Sequence, residues 1–336
     1  MPGAPPSLLT LTDQGLYCPP GGFHIDPVRP VDRAVVTHAH GDHCRPGHRH
    51  LLASPETVEI AQVRYGADAF GAVQRLAIGE VVRVGDVDLS LAPAGHVLGS
   101  AQVVLEARGR RAVVSGDYKR RADPSCAPFE PVACDLFVTE ATFGLPVFTH
   151  PPAAGELAKL TDSLAMFPDR AHAIGAYALG KAQRLILELR RMGYDRPIWL
   201  HGALIKLCDA YRAMGYDLGE TPYATAAEGK ETRGQIVLAP PSALADTWCR
   251  RLPDPVVGAA SGWMRVRQRA KQRGVELAMV ISDHADWDEL TATIRETGAG
   301  EVWVTHGAEE ALCHWCATQG IDARPLSIAG RGDEAE

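Results

Sequence analysis

The sequence predicts an α/β protein containing a parallel sheet flanked by helices, and three observations carry that expectation. From Ala173 onward, short apolar runs alternate with segments whose apolar residues recur at i, i+3, i+4 and i+7, the pattern of strand–helix units. Before that point, short apolar runs punctuated by glycine and proline read as strands and turns. Residues with the chemistry of metal ligands stand at the ends of the expected strands, where sheets with crossover connections place their sites. At 336 residues the chain is expected to form about two domains and to bury a sizeable core.

Taken in order, residues 8–11 and 15–18 read as strands before the turn Pro19-Pro20-Gly21-Gly22. Residues 33–37 read as a short buried strand. Run on through His40, its period of two would put His38 and His40 on one side. Residues 55–63 form an expected helix, with Ser54 as N-cap and Pro55 in its first position. Residues 81–84 and 87–91 read as a hairpin across Gly85-Asp86, running into Pro93-Ala94-Gly95-His96. Strands over 101–106, 111–115 and 135–139 follow, the last two ending at Gly116-Asp117 and at Glu140.

Pro146, Pro151 and Pro152 punctuate a linker. Residues 173–177 then lead to a helix over 180–192, and residues 197–200 to a second helix through Leu204, Leu207, Cys208 and Tyr211. Gly193 and Gly215 fit the left-handed position that ends such helices. A third unit joins residues 235–238 to a helix from Ser242. Two apolar strands remain, 277–281 and 301–305, ending at His284 and His306. The polar tail 331–336 is expected to be disordered.

Net charge is −7, so there is no global basic field, and any nucleic-acid contact must come from local patches. The eight cysteines are scattered and do not form a secreted disulfide framework. Cys313 and Cys316 make a lone CxxC and read as buried thiols on a helix. The N-terminus lacks a signal-type apolar core, and no run is long enough to span a bilayer. The expectation is a cytoplasmic enzyme with no membrane partner.

The densest chemistry lies in Thr37-His38-Ala39-His40-Gly41-Asp42-His43, with three histidines and a carboxylate in six consecutive positions. Gly41 permits a turn that brings Asp42 and His43 back toward His38 and His40. Imidazole nitrogen and carboxylate oxygen suit Zn²⁺ or Mn²⁺. The cluster is too tight for one tetrahedral ion, and two-metal hydrolases hold ions about 3.5–4 Å apart. His48 and His50 follow closely and read as solvated loop residues.

The motif resembles the HxHxDH signature of the metallo-β-lactamase fold. Ala94–Ser100, around His96, and Ser115–Tyr118, around Asp117, resemble the next two metal motifs of the β-CASP nucleases within that fold. Thr139-Glu140-Ala141-Thr142-Phe143 is similar to their acidic motif A, Ser282–Asp286 to motif B around His284, and Thr305-His306-Gly307 to motif C. Ala178–Gln183 resembles the helix start of their inserted domain. The resemblance implies an αββα sandwich over residues 1–144 and 276–330, interrupted by a β-CASP-like parallel α/β domain over 145–275. It implies one metal on His38, His40 and His96, and a second on Asp42, His43 and His306. Asp117 would bridge them, and a bridging hydroxide would attack phosphorus. Asp42, Glu140 and His284 form the catalytic set, with His284 as general acid oriented by Glu140. The cofactors implied are two divalent ions, Zn²⁺ or Mn²⁺.

Within that family the segments 16–27 and 280–287 resemble the short bacterial ligase-associated DNA exonucleases. This implies a DNA substrate and a functional partnership with an ATP-dependent DNA ligase and a helicase in DNA repair. An RNA-processing endo- or exonuclease is the alternative, since a histidine at position 306 is typical of the RNA processors. A small-molecule metallo-hydrolase is disfavoured by the inserted domain and by the Glu140/His284 pair, and a non-catalytic scaffold by the full set of ligands. Expected phosphate contacts are Lys119 and Arg120 after the bridging aspartate, Lys181, and Arg265 and Arg267 on a basic helix over 265–273. A solvated charged face is the alternative for that helix. Few aromatic residues are interleaved, so base stacking is not signalled.

Overall fold

A computed structural model describes residues 7–224 and 230–326. The expected tail at 331–336 lies outside the described residues. In chain order, β1 (Thr10–Thr12), β2 (Gly15–Cys18), β3 (Phe23–Ile25), β4 (Arg33–Val35), β5 (His50–Ala53), α1 (Pro55–Tyr65) and β6 (Ala72–Arg75) come first. The strands form a sheet in the order β1-β2-β3-β4-β5-β6. Ser54 caps α1 by accepting from the Thr57 amide, and Pro55 opens the helix where its missing N–H has no partner to lose. Then come β7 (Val81–Val84), β8 (Val87–Pro93), β9 (Ala101–Ala107), β10 (Arg110–Val114) and β11 (Leu136–Ala141).

The next elements are α2 (Ala153–Met166), β12 (His172–Gly175), α3 (Lys181–Arg191), β13 (Ile198–Leu200) and α4 (Gly202–Ala213). After these lie β14 (Ile236–Ala239), α5 (Pro241–Leu244), β15 (Val256–Ala260), α6 (Arg267–Gln272) and β16 (Leu277–Met279). The five strands form a wholly parallel sheet ordered β13-β14-β12-β15-β16. The chain closes with α7 (Trp287–Thr297), β17 (Glu301–Gly307), α8 (Glu309–Thr318) and β18 (Asp322–Pro325). These last strands complete a second sheet, β18-β17-β11-β10-β9-β8-β7.

The chain divides into two compact units. The first comprises residues through Ala122, Cys126–Phe148, and the chain from His284. In it the two mixed sheets share one apolar core, in which Leu16, Ile25, Val35 and Leu52 meet Leu89, Leu91, Val103 and Leu105. The opposite face of the second sheet is covered by α7 and α8 through Leu290, Ile294, Leu312 and Cys316. The second unit, Asp123–Ser125 and Thr149–Asp283, holds the parallel sheet. Among the described residues, no helix is long and apolar enough to cross a membrane.

Four sequence expectations need correction. The second unit runs to Asp283, past the boundary expected at residue 275, because Leu277–Met279 pairs with β15. The strand at 33–37 stops at Val35 and does not carry His38 or His40. Thr37 turns out of the strand direction instead, with its N–H donated to the Asp26 carboxylate. The helix expected from Ser242 is a single turn, Pro241–Leu244. The basic helix is split into a 3₁₀ turn, Gly262–Arg265, and the short α6.

Candidate metal centre

The strands β8, β10, β11 and β17 all run the same way: β9 is antiparallel to β8 and β10, and β10, β11 and β17 are mutually parallel. Their carboxyl ends therefore share one edge of the second sheet. His96 follows β8, Asp117 follows β10, Glu140 is the next-to-last residue of β11, and His306 stands near the end of β17. The His38–His43 segment comes from the first sheet, after β4. Its turn is closed by hydrogen bonds from the His43 and Cys44 amides to the His40 carbonyl (3.2 and 2.8 Å). Arg64 of α1 donates to the Ala39 carbonyl at 2.5 Å, so the backbone between His38 and His40 is held from outside.

Two loops approach closely. Gly116 has φ +58°, and a Cβ there would meet the Thr37 hydroxyl at 2.6 Å. Only glycine lets Asp117 and His38 reach the same space. Ser100 accepts from both the His96 and Val97 amides (3.0 and 3.1 Å), fixing the turn that aims His96 inward. His306 itself has φ +60°, a costly conformation for a side chain of this size.

All seven expected ligands converge in the first unit. His38, His40, His96 and Asp117 form one group, Asp42, His43 and His306 another, and Asp117, Glu140 and His284 a third, with donor atoms in each group within 4.8 Å of one another. The His40 Nδ1 lies 3.1 Å from Nε2 of both His38 and His96. The Asp117 Oδ2 lies 3.6 Å from His38 Nε2, 3.8 Å from His96 Nε2 and 3.4 Å from His43 Nε2, so it faces both histidine groups. Asp42 Oδ2 is 3.4 Å from His43 Nε2 and 3.9 Å from His306 Nε2. Donors about 2.0–2.1 Å from a shared ion lie roughly 2.9–3.4 Å apart, so the tightest of these spacings fit a divalent metal.

The protonation chemistry points the same way. The buried His43 Nε2 has no hydrogen-bond partner among the described residues, while its Nδ1 is 2.7 Å from the Asp26 carboxylate. That second bond selects the tautomer that leaves Nε2 for a ligand role. Burial alone would lower the His43 pKa, yet Asp117, Asp42 and Asp26 together hold it well above its ordinary value. Burial would raise Asp42 and Asp117, and His43 outweighs it, holding both carboxyls well below their usual range. Burial, with His43 beside it, pushes His38 well down. The cavity thus surrounds ionised carboxylates with a demand for positive charge, met by the His43 proton, which a bound divalent cation would displace.

His284 stands beside this cluster, with its ring against His96 at 4.7 Å between centroids. Its Nδ1 is 2.9 and 3.1 Å from the two Glu140 oxygens. Glu140 is fully buried and also accepts from the Tyr118 amide and the Thr142 hydroxyl (2.8 and 2.5 Å). Burial pushes its pKa up and His284 opposes the shift.

The expected phosphate contacts fare differently. Lys119 is buried. Lys181 is buried as well, donating to the Ile281 carbonyl at 2.6 Å and pairing with Asp283 at 3.3 Å. Arg120 binds Glu296 at 2.8 Å and Arg121 binds Asp286 and Glu289, so this basic run ties down α7. Arg265 and Arg267 are exposed. His48, expected in solvent, is buried and accepts from the Val31 amide through Nδ1. Asp26 was not singled out by the sequence, though it too follows a strand; its carboxylate binds the Thr37 amide, the Thr37 hydroxyl and His43.

No protein-family model matches the chain. The chain is 29% identical over 317 residues to a protein of Opitutus terrae named probable DNA ligase, covering 92% of this chain and 30% of that one. It is 34% identical over 119 residues to endoribonuclease ysh1 of Aspergillus fumigatus, covering 34% of this chain and 13% of that one. With ribonuclease TTHA0252 of Thermus thermophilus it shares 33% identity over 147 residues, 36% of this chain and 34% of the other. The chain thus spans at most about a third of the length of these relatives. A crystal structure of a protein of unknown function from Enterococcus faecalis shares the fold, with a TM-score of 0.60 at 13% identity, covering 87% of this chain and 78% of that one. The resemblance carried by the motifs therefore holds in the matched relatives: the chain is similar to nucleases of the β-CASP group of the metallo-β-lactamase fold.

Proposed function

We propose that the chain is a two-metal-dependent phosphodiesterase that degrades DNA from an end, working alongside a DNA ligase. The observation that carries the reading is the Asp117 carboxylate, set between two histidine groups with the His284–Glu140 pair beside it. In this reading His38, His40 and His96 hold one ion, Asp42, His43 and His306 the other, and Asp117 both. Zn²⁺ and Mn²⁺ suit this donor set. The two face-packed sheets are then a metallo-β-lactamase sandwich and the parallel unit a β-CASP-like insertion.

Bound divalent ions would supply Lewis-acid charge and lower the pKa of a water at neutral pH. The chain's own residues supply the rest. Glu140 accepts a hydrogen bond from His284 Nδ1–H, which leaves Nε2–H to deliver a proton to the leaving sugar oxygen. A buried carboxylate at 2.9 Å also favours the charged imidazole that such an acid must be. Arg265 and Arg267 remain the candidates for backbone phosphates. The match to the ligase-named protein, which runs over 92% of the chain, supports DNA as substrate and a ligase as partner. A helicase partner follows from the family resemblance alone, and a cytoplasmic location from the scattered cysteines.

A second reading, RNA processing, is favoured by His306 and by the relatives named as ribonucleases. End-labelled DNA and RNA of one sequence, digested with Zn²⁺ or Mn²⁺ and sized over time, separate the two. DNA shortened progressively from one end is the expected result. Faster loss of RNA would transfer the assignment to the second reading, and hydrolysis of a small ester without cleavage of either strand would defeat both.

A further inference from the structure

The carboxyl edge of the parallel sheet carries aromatic side chains flanked by arginines. From β12 the chain crosses to β13 and β14 on one side, and later to β15 and β16 on the other. Sheets of this kind bind ligands outside the carboxyl ends of their strands, where the order reverses. Gly175 of β12 pairs with Ala259 of β15, so Tyr177 and the turn at Ser261–Trp263 leave the sheet side by side. Ser261 accepts from the Trp263 amide at 3.2 Å, and the Arg269 guanidinium lies 3.8 Å from the centroid of the Trp263 ring. At the far side β13 is followed by His201, whose ring meets Trp248 edge-on at 4.7 Å.

Both tryptophans are half-buried, and each precedes exposed arginines: Arg250 and Arg251 after Trp248, Arg265 and Arg267 after Trp263. Asp246 lies near Arg250 and Arg251 and offsets their charge. Between Ser261 and Gly274 there is no acidic residue, so the Trp263 end carries the stronger field. Arginines alone would serve phosphates. An indole pinned by a cation adds a flat surface that suits the π-face of a base joined to a phosphate. A duplex hides those faces in its own stack, and an unpaired strand presents them.

We infer that this edge is a platform for single-stranded nucleic acid, with Trp263 stacking on a base and Arg265 and Arg267 holding the adjoining phosphates. The choice of ligand rests on the nuclease reading above; the inference adds the state of the strand.

The test uses the full chain, stripped of metal and kept in chelator so that nothing is cut. Labelled oligothymidylate, oligouridylate, an abasic deoxyribose-phosphate strand of equal length and a blunt duplex are titrated by anisotropy. Oligothymidylate and oligouridylate should both bind more tightly than the duplex, and the ratio between them reports DNA against RNA. Trp263→Ala should weaken the base-bearing strands roughly 5- to 150-fold, Trp263→Phe should retain most of the affinity, and neither should change binding of the abasic strand. Equal losses on abasic and base-bearing strands, no loss on either, or a duplex bound as tightly as a single strand would overturn the platform. If cleavage persists with metal restored while Trp263→Ala has no effect, the platform alone falls. If the native chain neither binds nor cuts any strand, the nuclease reading falls with it.

Discussion

At the residue scale, the centre is governed as much by the groups behind the ligands as by the ligands. Asp26 and Glu140 each occupy the far nitrogen of a histidine, His43 and His284, and so decide what the near nitrogen can do. His284→Ala should lower the rate on a phosphodiester with a sugar leaving group by about 10²–10⁴-fold while leaving metal content unchanged. Glu140→Gln should lose less, and the double variant should lose no more than His284→Ala alone. A nitrophenyl diester needs little protonation and should be nearly indifferent to His284→Ala; loss of a metal in that variant would make His284 a ligand instead. His48 gives a separate test away from the ligands. Burial pushes its pKa down to about 4 from an ordinary 6.5, so the unfolded chain binds the proton first. Its contribution to stability is complete above pH 6.5 and is lost as pH falls toward 4. The gap in urea midpoint between the native chain and His48→Gln should narrow over that window; parallel curves would contradict the buried neutral ring. The residues that cluster were legible because His38–His43 is so dense in histidine and carboxylate, and because His96, Asp117, Glu140 and His306 stand where expected strands end. Lys181 was not legible, because its carbonyl partner lies 100 residues on and only the fold brings them together.

At the scale of elements, α1 and α7 act on the centre from outside it. Arg64 in the last turn of α1 grips the carbonyl of Ala39, between two histidines of the motif. Arg64→Met keeps the stem and removes the hydrogen bond. It should weaken metal binding about tenfold, the low end for groups that orient ligands, without lowering the melting midpoint much. Competition against a chromogenic chelator reads this, and unchanged affinity would reduce Arg64 to a surface contact. Helix α7 starts two residues after the Ala285 that follows His284, with Asp286 between them capping the Glu289 amide at 3.0 Å while Arg121 binds the same carboxylate. Its capping pair, Asp286 with Glu289, and the left-handed Gly298 are the sequence signals of this helix. Strand β15, Val256-Val257-Gly258-Ala259-Ala260, was missed for a physical reason. Its glycine and alanines have little intrinsic preference for strands, and Gly258 is small because a Cβ would meet Ile174 at 2.5 Å.

At the scale of the whole molecule, the chain is acidic overall, so affinity for a polyanion must be local. The segment from Arg265 to Arg273 gathers exposed cations without an acid among them. Arg267→Glu should weaken binding of all sequences alike and flatten the dependence of log affinity on log salt by roughly one unit. An unchanged slope would return the segment to a solvated face. The general architecture of strands and helices was legible from periodicity. The place where the second unit ends was not, because the apolar run at 277–279 reads the same whichever sheet accepts it, and only pairing with Val256–Ala260 decides.

The central claim is that two metal ions in one cluster make this chain a nuclease. Stepwise return of Zn²⁺ or Mn²⁺ to the metal-stripped chain, with cleavage of an end-labelled strand measured at each step, tests it most directly. Cleavage should be negligible without metal and rise to a plateau at two equivalents per chain, with Asp117→Asn binding less metal and staying inactive. Full cleavage in the presence of chelator, or a plateau at a single equivalent, would contradict it.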